Sequence, residues 1–153
     1  MGLDVTDLEF CTGGLRVSIR KSKTDQEGLG VKIAIARGST ACPVDAVSAW
    51  LKAAAIIEGP LFRPVTRTQK ISDRRLSARA VGELVKAYAR RAGLKAADSS
   101  GHSLRSGFLT SAAAHGASIF KMMDVSRHKS VDTLRGYGRD AEMFRDHAGA
   151  GLL

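Results

Sequence analysis

Two histidines, an arginine and a tyrosine in the second half of the chain stand at spacings that fit work on a phosphate group. His102 and Arg105 are three residues apart at the expected start of a helix, so their side chains fall on one helix face. Backbone N–H groups at a helix start also point towards an incoming anion. His128 follows Arg105 by 23 residues, and Tyr137 follows His128 by nine. These residue types in this order predict a site that binds a phosphate.

The order and spacing of these residues resemble the signature of the tyrosine recombinases, or phage integrases. That signature is His-x-x-Arg, then Gly-His-x-Ser, then a tyrosine nine residues after the second histidine. This chain reads His102-Ser103-Leu104-Arg105, then His128-Lys129-Ser130, then Tyr137. The resemblance covers essentially the whole chain from Asp4. It implies that Tyr137 attacks a DNA phosphate and forms a 3′-phosphotyrosine link.

The chemistry that this resemblance implies explains the choice of residue types. A phenol has a pKa of about 10, so a tyrosine nucleophile needs a partner for its proton and a site that stabilises negative charge. Arg105 can donate two hydrogen bonds to the phosphate oxygens, and His102 and His128 can add one each. The bond energy is retained in the phosphotyrosine, so the resemblance implies no cofactor. The chain also contains no P-loop and no carboxylate cluster for magnesium.

A lysine-containing segment upstream completes the resemblance. Lys21-Ser22-Lys23-Thr24-Asp25-Gln26, followed by glycines and a strand, resembles the family's hairpin that carries a catalytic lysine. The resemblance implies that Lys23 is the general acid that protonates the leaving 5′ oxygen. Lys21 is then a DNA contact. The alternative is that both are solvated loop lysines.

Three departures from the family pattern bear on activity. The family has a second essential arginine in a Thr-Gly-x-Arg helix before the first strand, and neither Arg16 nor Arg20 stands in such a helix. The family's N-terminal DNA-clamping domain has no counterpart either. We therefore expect a truncated catalytic domain that binds DNA and cleaves it poorly. Arg127 stands where the family usually has glycine before the histidine, which leaves the local geometry open.

Other basic and aromatic residues allow a functional and a structural interpretation. Besides Lys21, the predicted DNA contacts are Arg63, Arg67, Arg74, Arg75 and Lys129. For the four arginines, the alternative is a solvated loop. Tyr88 shares an apolar helix face with Leu84 and Val85 and is predicted to be a core residue. His115 and His147 are predicted to be surface or helix-end residues.

The elements that must position these side chains are predicted from periodicity. Alternation of polar and apolar residues predicts three antiparallel strands at residues 5–10, 15–20 and 31–35, with a Gly13-Gly14 turn between the first two. Apolar residues recur at helical spacing after Pro43, namely Val44, Val47, Trp50, Leu51, Ala54 and Ile57. Further helices are predicted from Ser77, a cap residue, to Gly93, and at residues 104–114, 118–125, 131–137 and 141–147.

The length and the charge indicate one globular domain that meets an anion. The chain has 153 residues and a net charge of +9, and both halves are basic. It lacks an apolar run of the about 20 residues that a membrane helix needs, and its first residues lack the apolar core typical of a signal peptide. We expect a cytoplasmic, nucleoid-associated protein. Cys11 and Cys42 have no metal-ligand spacing and are predicted to be packing thiols.

Together these observations predict an α+β fold, mainly helical. A small antiparallel sheet with the lysine hairpin occupies residues 1–38, and the helical part occupies residues 43–153. The predicted function is a site-specific DNA recombinase domain that acts on double-stranded DNA. The resemblance implies a homo-tetramer on DNA in a full-length context and a monomer when free. The alternatives are an inactive DNA-binding remnant, a type IB topoisomerase-like activity and a basic interaction domain, the last of which leaves the His102–Tyr137 constellation unexplained.

Overall fold

The computed structural model describes residues 2–20, 30–128 and 130–142 of the chain. It shows a three-stranded antiparallel sheet followed by five α-helices, which confirms the predicted α+β, mainly helical fold. The chain divides into two compact units, Met1–Ser77 and Ala78–Leu153. The sheet and the first helix belong to the first unit, so this division falls later than the predicted change from sheet to helices.

The sheet consists of β1 (Leu8–Cys11), β2 (Gly14–Ile19) and β3 (Val31–Ala36), in that order. The prediction of a strand from residue 5 was wrong at its start, because Val5–Asp7 forms a short 3-10 helix. The Asp7 carboxylate accepts a hydrogen bond from the Asp4 N–H at 2.8 Å, and such local bonds compete with strand pairing.

The turn between β1 and β2 lies one residue earlier than predicted, at Thr12 and Gly13. Gly14 pairs with Cys11 as the first residue of β2. Its φ of +152° is a backbone conformation that side chains rarely allow, and a Cβ there would lie 2.1 Å from the Ile35 carbonyl oxygen. Glycine is therefore required at this first position of β2.

The first helix, α1 (Pro43–Ala53), supports the sheet. Its Val44 is fully buried in one core cluster with Leu15 and Val17 of β2. The helix ends before Ile57, whose side chain is 86% exposed, so the prediction that Ile57 continues the apolar face was wrong. Ala55 adopts a positive φ, which breaks the helical register that the spacing had indicated.

An ionic network joins the start of the first unit to β2 and to the segment before Ser77. Arg20 Nε donates to the buried Asp7 carboxylate at 2.5 Å, and its guanidinium also approaches Asp4 at 3.5 Å. Arg75 donates to the Asp4 carboxylate and to the Leu3 carbonyl oxygen. Burial raises the pKa of Asp7, but the Asp4 N–H and Arg20 more than offset it, so the pKa lies below its ordinary value.

The second unit contains α2 (Ala78–Arg91), a 3-10 turn (Ala96–Asp98), α3 (Gly101–Ala114), α4 (Ile119–Ser126) and α5 (Val131–Glu142). Its core cluster is Leu109, Ala113, Met122 and Leu134, contributed by the last three helices. The helix predicted at residues 141–147 is not separate at its start, because α5 continues to Glu142; residues 143–147 lie outside the described part. Among the helices described, none has the length and apolarity to cross a bilayer.

The prediction that Tyr88 is a core residue was wrong, because its side chain is 63% exposed. The buried edge of α2 runs through Ala89, and Val85 beside it is half-buried, whereas Leu84 is exposed with Tyr88. The Arg91 guanidinium lies 5.5 Å from the centre of the Tyr88 ring, a cation–π distance. Tyr88 thus lies on the surface of the second unit.

Candidate active site

The start of α3 is held by a serine capping box. The Ser100 hydroxyl accepts from the Ser103 N–H at 3.2 Å, and the Ser103 hydroxyl accepts from the Ser100 N–H at 2.5 Å. Two helix-end donors are satisfied in this way, which stabilises the first turn. His102 and Arg105 follow within this turn and the next, on one face, as predicted from their spacing.

Arg105 connects α3 to the end of α4. Its Nη2 donates a hydrogen bond to the carbonyl oxygen of Ser126, the last residue of α4. The side chain stays exposed to solvent. One edge of the guanidinium is therefore fixed to the protein, while its other N–H groups remain accessible to an anion.

The chain leaves α4 through a left-handed residue. Arg127 has φ 60° and ψ 29°, and its N–H donates to the Met123 carbonyl oxygen at 2.6 Å. Glycine is the residue best suited to this conformation, which gives a physical reason for the glycine usually found in the family at this position. In this chain arginine adopts it, so the departure at Arg127 preserves the helix-ending turn at a cost in backbone strain.

The turn at Arg127 returns His128 to the end of α4. His128 Nδ1 lies 2.8 Å from the Ser126 hydroxyl oxygen. The ring centroids of His128 and Tyr137 are 6.2 Å apart, with the rings tilted by 47°. Tyr137 is half-buried on α5 and packs against the core cluster of the second unit, which holds the phenol beside this histidine.

The pKa of His128 lies below its ordinary value. Burial lowers it most, and the proximity of Arg105 and His102 lowers it further. At neutral pH the ring is therefore neutral. The four residues chosen from the sequence, namely His102, Arg105, His128 and Tyr137, thus come together within the second unit.

The predicted DNA contacts of the first unit differ in their surroundings. The Arg63 side chain is only 13% exposed and donates to the Pro60 and Glu58 carbonyl oxygens and to the Asp73 carboxylate. Arg75 belongs to the ionic network with Asp4. Arg67 and Arg74 are exposed. Contact with DNA stays a prediction for all four arginines, and the geometry favours Arg67 and Arg74.

Three predicted site residues lie outside the described part of the chain. Lys21 and Lys23 fall in residues 21–29, and Lys129 directly follows His128. Their proposed roles stay predictions.

Ser126 is the residue that the sequence reasoning missed. Its side chain is only 4% exposed, and it touches two site residues, Arg105 through its carbonyl oxygen and His128 through its hydroxyl. The signal available in the sequence was a serine two residues before the candidate histidine, His128. Serine is common at helix ends for other reasons, so the sequence alone did not single it out.

The sequence is similar to a known protein family and to a curated relative. The sequence profile of the phage integrase family matches residues 1–143. An "integrase/recombinase xerD homolog" of Selenomonas ruminantium is 41% identical over 144 residues, which cover 93% of this chain and 42% of that protein. The chain thus spans less than half the length of this relative.

Proposed function

The chain belongs to the phage integrase family, as its sequence resemblance predicted, and from this we propose that it is the strand-cleaving part of a site-specific DNA recombinase. One observation carries the proposal. Arg105 on α3 is hydrogen-bonded to the last residue of α4, and His128, which follows α4, lies beside Tyr137 on α5, while His102 lies one turn before Arg105 on α3. The set matches what a phenol needs in order to attack phosphorus.

In the proposed reaction the Tyr137 hydroxyl oxygen attacks a DNA phosphorus atom. An O–P bond forms to the tyrosine, and the bond from phosphorus to the 5′ oxygen breaks. The phenol gives its proton to solvent, and Lys23 supplies a proton to the departing 5′ oxygen, which becomes a hydroxyl. Rejoining reverses these steps, so no bond energy is lost and no oxidant, reductant or nucleotide is consumed.

The protein's contribution is electrostatic positioning. Negative charge on the non-bridging oxygens increases in the transition state, and N–H donors that are already in place stabilise it without reorganising. Arg105 has N–H groups besides the one bonded to Ser126 that no other described residue engages, and neutral His128 can donate through its ring. His102 lies at the start of α3, where backbone N–H groups add to the attraction for an anion.

Lys23 completes the proposal as the general acid for the 5′ oxygen. Its role follows from the resemblance of residues 21–26 to the family's lysine hairpin. Double-stranded DNA is the proposed partner, which fits the net charge of +9. Assembly into a tetramer on DNA is likewise proposed for a full-length context.

The test is the formation of a covalent protein–DNA adduct. The 153-residue chain is incubated with end-labelled, nicked duplexes of randomised sequence, because a nick near the cleavage point lets the short fragment that carries the new 5′ hydroxyl escape and so traps the adduct. The adduct is detected on a denaturing gel. We expect slow adduct formation by the native chain, in line with the poor cleavage predicted from its sequence, and none by Tyr137→Phe, since the attacking oxygen is gone.

Tyr88→Phe is the matched control, because it removes the chain's other phenol from an exposed position. It should form adduct at the native rate. Adduct formation by Tyr137→Phe would show that another residue is the nucleophile. DNA binding without any adduct from the native chain would favour the inactive remnant, and relaxation of supercoiled DNA without site preference would favour the topoisomerase-like alternative.

A further inference from the structure

The end of α4 holds a buried polar residue that the proposed reaction does not use directly. Ser126 lies at the last position of the helix with its side chain 4% exposed. Within the described residues, its hydroxyl has one hydrogen-bond partner, Nδ1 of His128 at 2.8 Å. Its carbonyl oxygen accepts from Arg105. A single residue therefore contacts both an arginine and a histidine of the site.

The direction of the Ser126–His128 hydrogen bond follows from counting protons. A buried hydroxyl has one proton to donate, and leaving it without an acceptor costs free energy. Nδ1 is the acceptor within reach, so the hydroxyl donates to it and Nδ1 must carry a lone pair. In a neutral imidazole the ring proton then resides on Nε2.

We propose that Ser126 is a positioning residue whose hydroxyl holds His128 as the Nε2–H tautomer and whose carbonyl oxygen holds Arg105, so that both present N–H donors to one phosphate. The inference rests on the proposed function for the identity of the ligand. It assigns Ser126 no contact with DNA. Without the hydroxyl, the alternative tautomer would direct the Nε2 lone pair at the phosphate oxygens, and lone pair and oxyanion repel.

The surroundings of the ring make the tautomer matter. Within the described part of the chain, Arg105 and His102 on α3 and Tyr137 on α5 are the charged and titratable groups found near His128. Burial and the two basic neighbours lower the pKa of His128, so the ring is neutral near pH 7. A protonated ring would donate from both nitrogens whatever its neighbours, but a neutral ring donates from only one.

The first test reads the tautomer itself. The 153-residue chain is labelled with ¹⁵N-histidine, and long-range ¹⁵N–¹H spectra at pH 7.5 show which ring nitrogen of His128 carries the proton. We expect Nε2–H in the native chain and in Ser126→Thr, which keeps a hydroxyl, and a mixture in Ser126→Ala. Ser111→Ala is the control, because that exposed hydroxyl lies on α3 away from the ring.

All these variants keep the backbone carbonyl that accepts from Arg105, so they isolate the hydroxyl. Proton on Nδ1 in the native chain, or an unchanged spectrum in Ser126→Ala, would overturn the inference. This reading needs no DNA. It therefore decides the role of Ser126 even if the native chain forms no covalent adduct and the proposed function fails.

The second test measures the rate of adduct formation on the nicked duplexes. Groups that orient metal-ligating histidines typically contribute about tenfold or more. By analogy we expect Ser126→Ala to be about tenfold slower and Ser126→Thr to be close to native. In a His128→Phe background, Ser126→Ala should cause no further loss, because the two residues act as one unit. An equal tenfold loss in that background would overturn the inference and make Ser126 a merely structural residue.

Discussion

At the scale of the residue, the site depends on an imidazole of His128 that stays neutral. The ring is half-buried and lies near two basic side chains, Arg105 and His102, so protonating it is unfavourable. The same arrangement attracts a phosphate, whose negative charge would offset the positive charge of Arg105. The basic side chains that favour phosphate binding therefore also destabilise the protein without its ligand when His128 becomes protonated at low pH.

The lowered pKa of His128 predicts a loss of stability on mild acidification. The unfolded ring binds a proton near the ordinary pKa of 6.5, whereas the folded ring binds it only at lower pH. Between these values the unfolded state holds more protons, so the free energy of unfolding decreases as the pH falls from about 7 towards the folded pKa. Urea unfolding of the native chain and of His128→Gln at several pH values checks this, and the variant should show the weaker pH dependence.

His115→Gln serves as the control for that measurement. His115 is exposed at the end of α3, and its Nδ1 lies 2.8 Å from the Ser111 carbonyl oxygen of the same helix. Its substitution should leave the pH dependence close to native. Identical pH dependence in the native chain and in His128→Gln would contradict the prediction.

At the scale of the element, the turn after α4 determines where His128 points. Arg127 ends the helix in the left-handed conformation, and its N–H bond to Met123 closes the last turn. Helix α3 contributes the other side of the site through its capped first turn. Two helix ends therefore meet at Ser126, and α5 supplies the tyrosine.

Arg127→Gly is predicted to stabilise the second unit slightly. The left-handed conformation costs a residue with a Cβ about 1–2 kcal/mol, whereas glycine adopts it freely. Part of this gain is lost because glycine has more freedom in the unfolded chain, so the free energy of unfolding should rise by up to about 1 kcal/mol. Chemical denaturation of both proteins measures the difference.

The same substitution in a regular helix should have the opposite sign. Arg135 is exposed within α5, and Arg135→Gly should lower the free energy of unfolding by about 1 kcal/mol. Arg127→Ile should also destabilise, because a β-branched side chain tolerates a positive φ poorly. A destabilising Arg127→Gly would mean that the arginine side chain contributes more than the strain it causes.

At the scale of the whole molecule, the excess of basic residues is shared by both halves of the sequence. Residues 1–76 carry 12 basic and 8 acidic side chains, and residues 77–153 carry 12 and 7. Part of this charge is neutralised internally, as the pairs of Arg20, Arg63 and Arg75 with aspartates show. The remainder is available to attract a polyanion.

DNA binding by the chain is therefore predicted to depend strongly on salt. Each phosphate that the protein neutralises on duplex DNA contributes a slope of about −0.9 to the log–log plot of affinity against salt. Fluorescence anisotropy with a labelled duplex, titrated between low and physiological ionic strength, gives this slope. Arg67→Ala and Arg74→Ala should each make it shallower, whereas the internally bonded Arg63 should act mainly through stability.

A slope that is zero over this range would contradict a surface that follows phosphates. A reduced slope in Lys52→Ala, an exposed lysine of α1 for which no DNA contact is predicted, would show that any loss of charge has the same effect. The comparison separates contact at particular residues from general attraction.

The sequence by itself determined the order of the elements and the antiparallel sheet, and it supplied the candidate residues of the site. These depend on short-range patterns. Alternation identifies β2 and β3, helical spacing identifies α1 to α5, and the spacing of His102 and Arg105 follows from one helical turn. The family resemblance rests on the numbers of residues between His102, Arg105, His128 and Tyr137, and these numbers are read directly from the sequence. The candidate site residues could thus be chosen from their types and spacing before any contact between them was known.

Only the tertiary structure decided which side of each element is covered and which groups share hydrogen bonds. Tyr88 and Ile57 stand at apolar positions of periodic segments, yet both are exposed, because burial depends on what another segment brings against them. Ser126 became part of the site because the backbone reverses at Arg127 and because Arg105 reaches it from α3. Such contacts join residues far apart in the chain, and no local pattern encodes them.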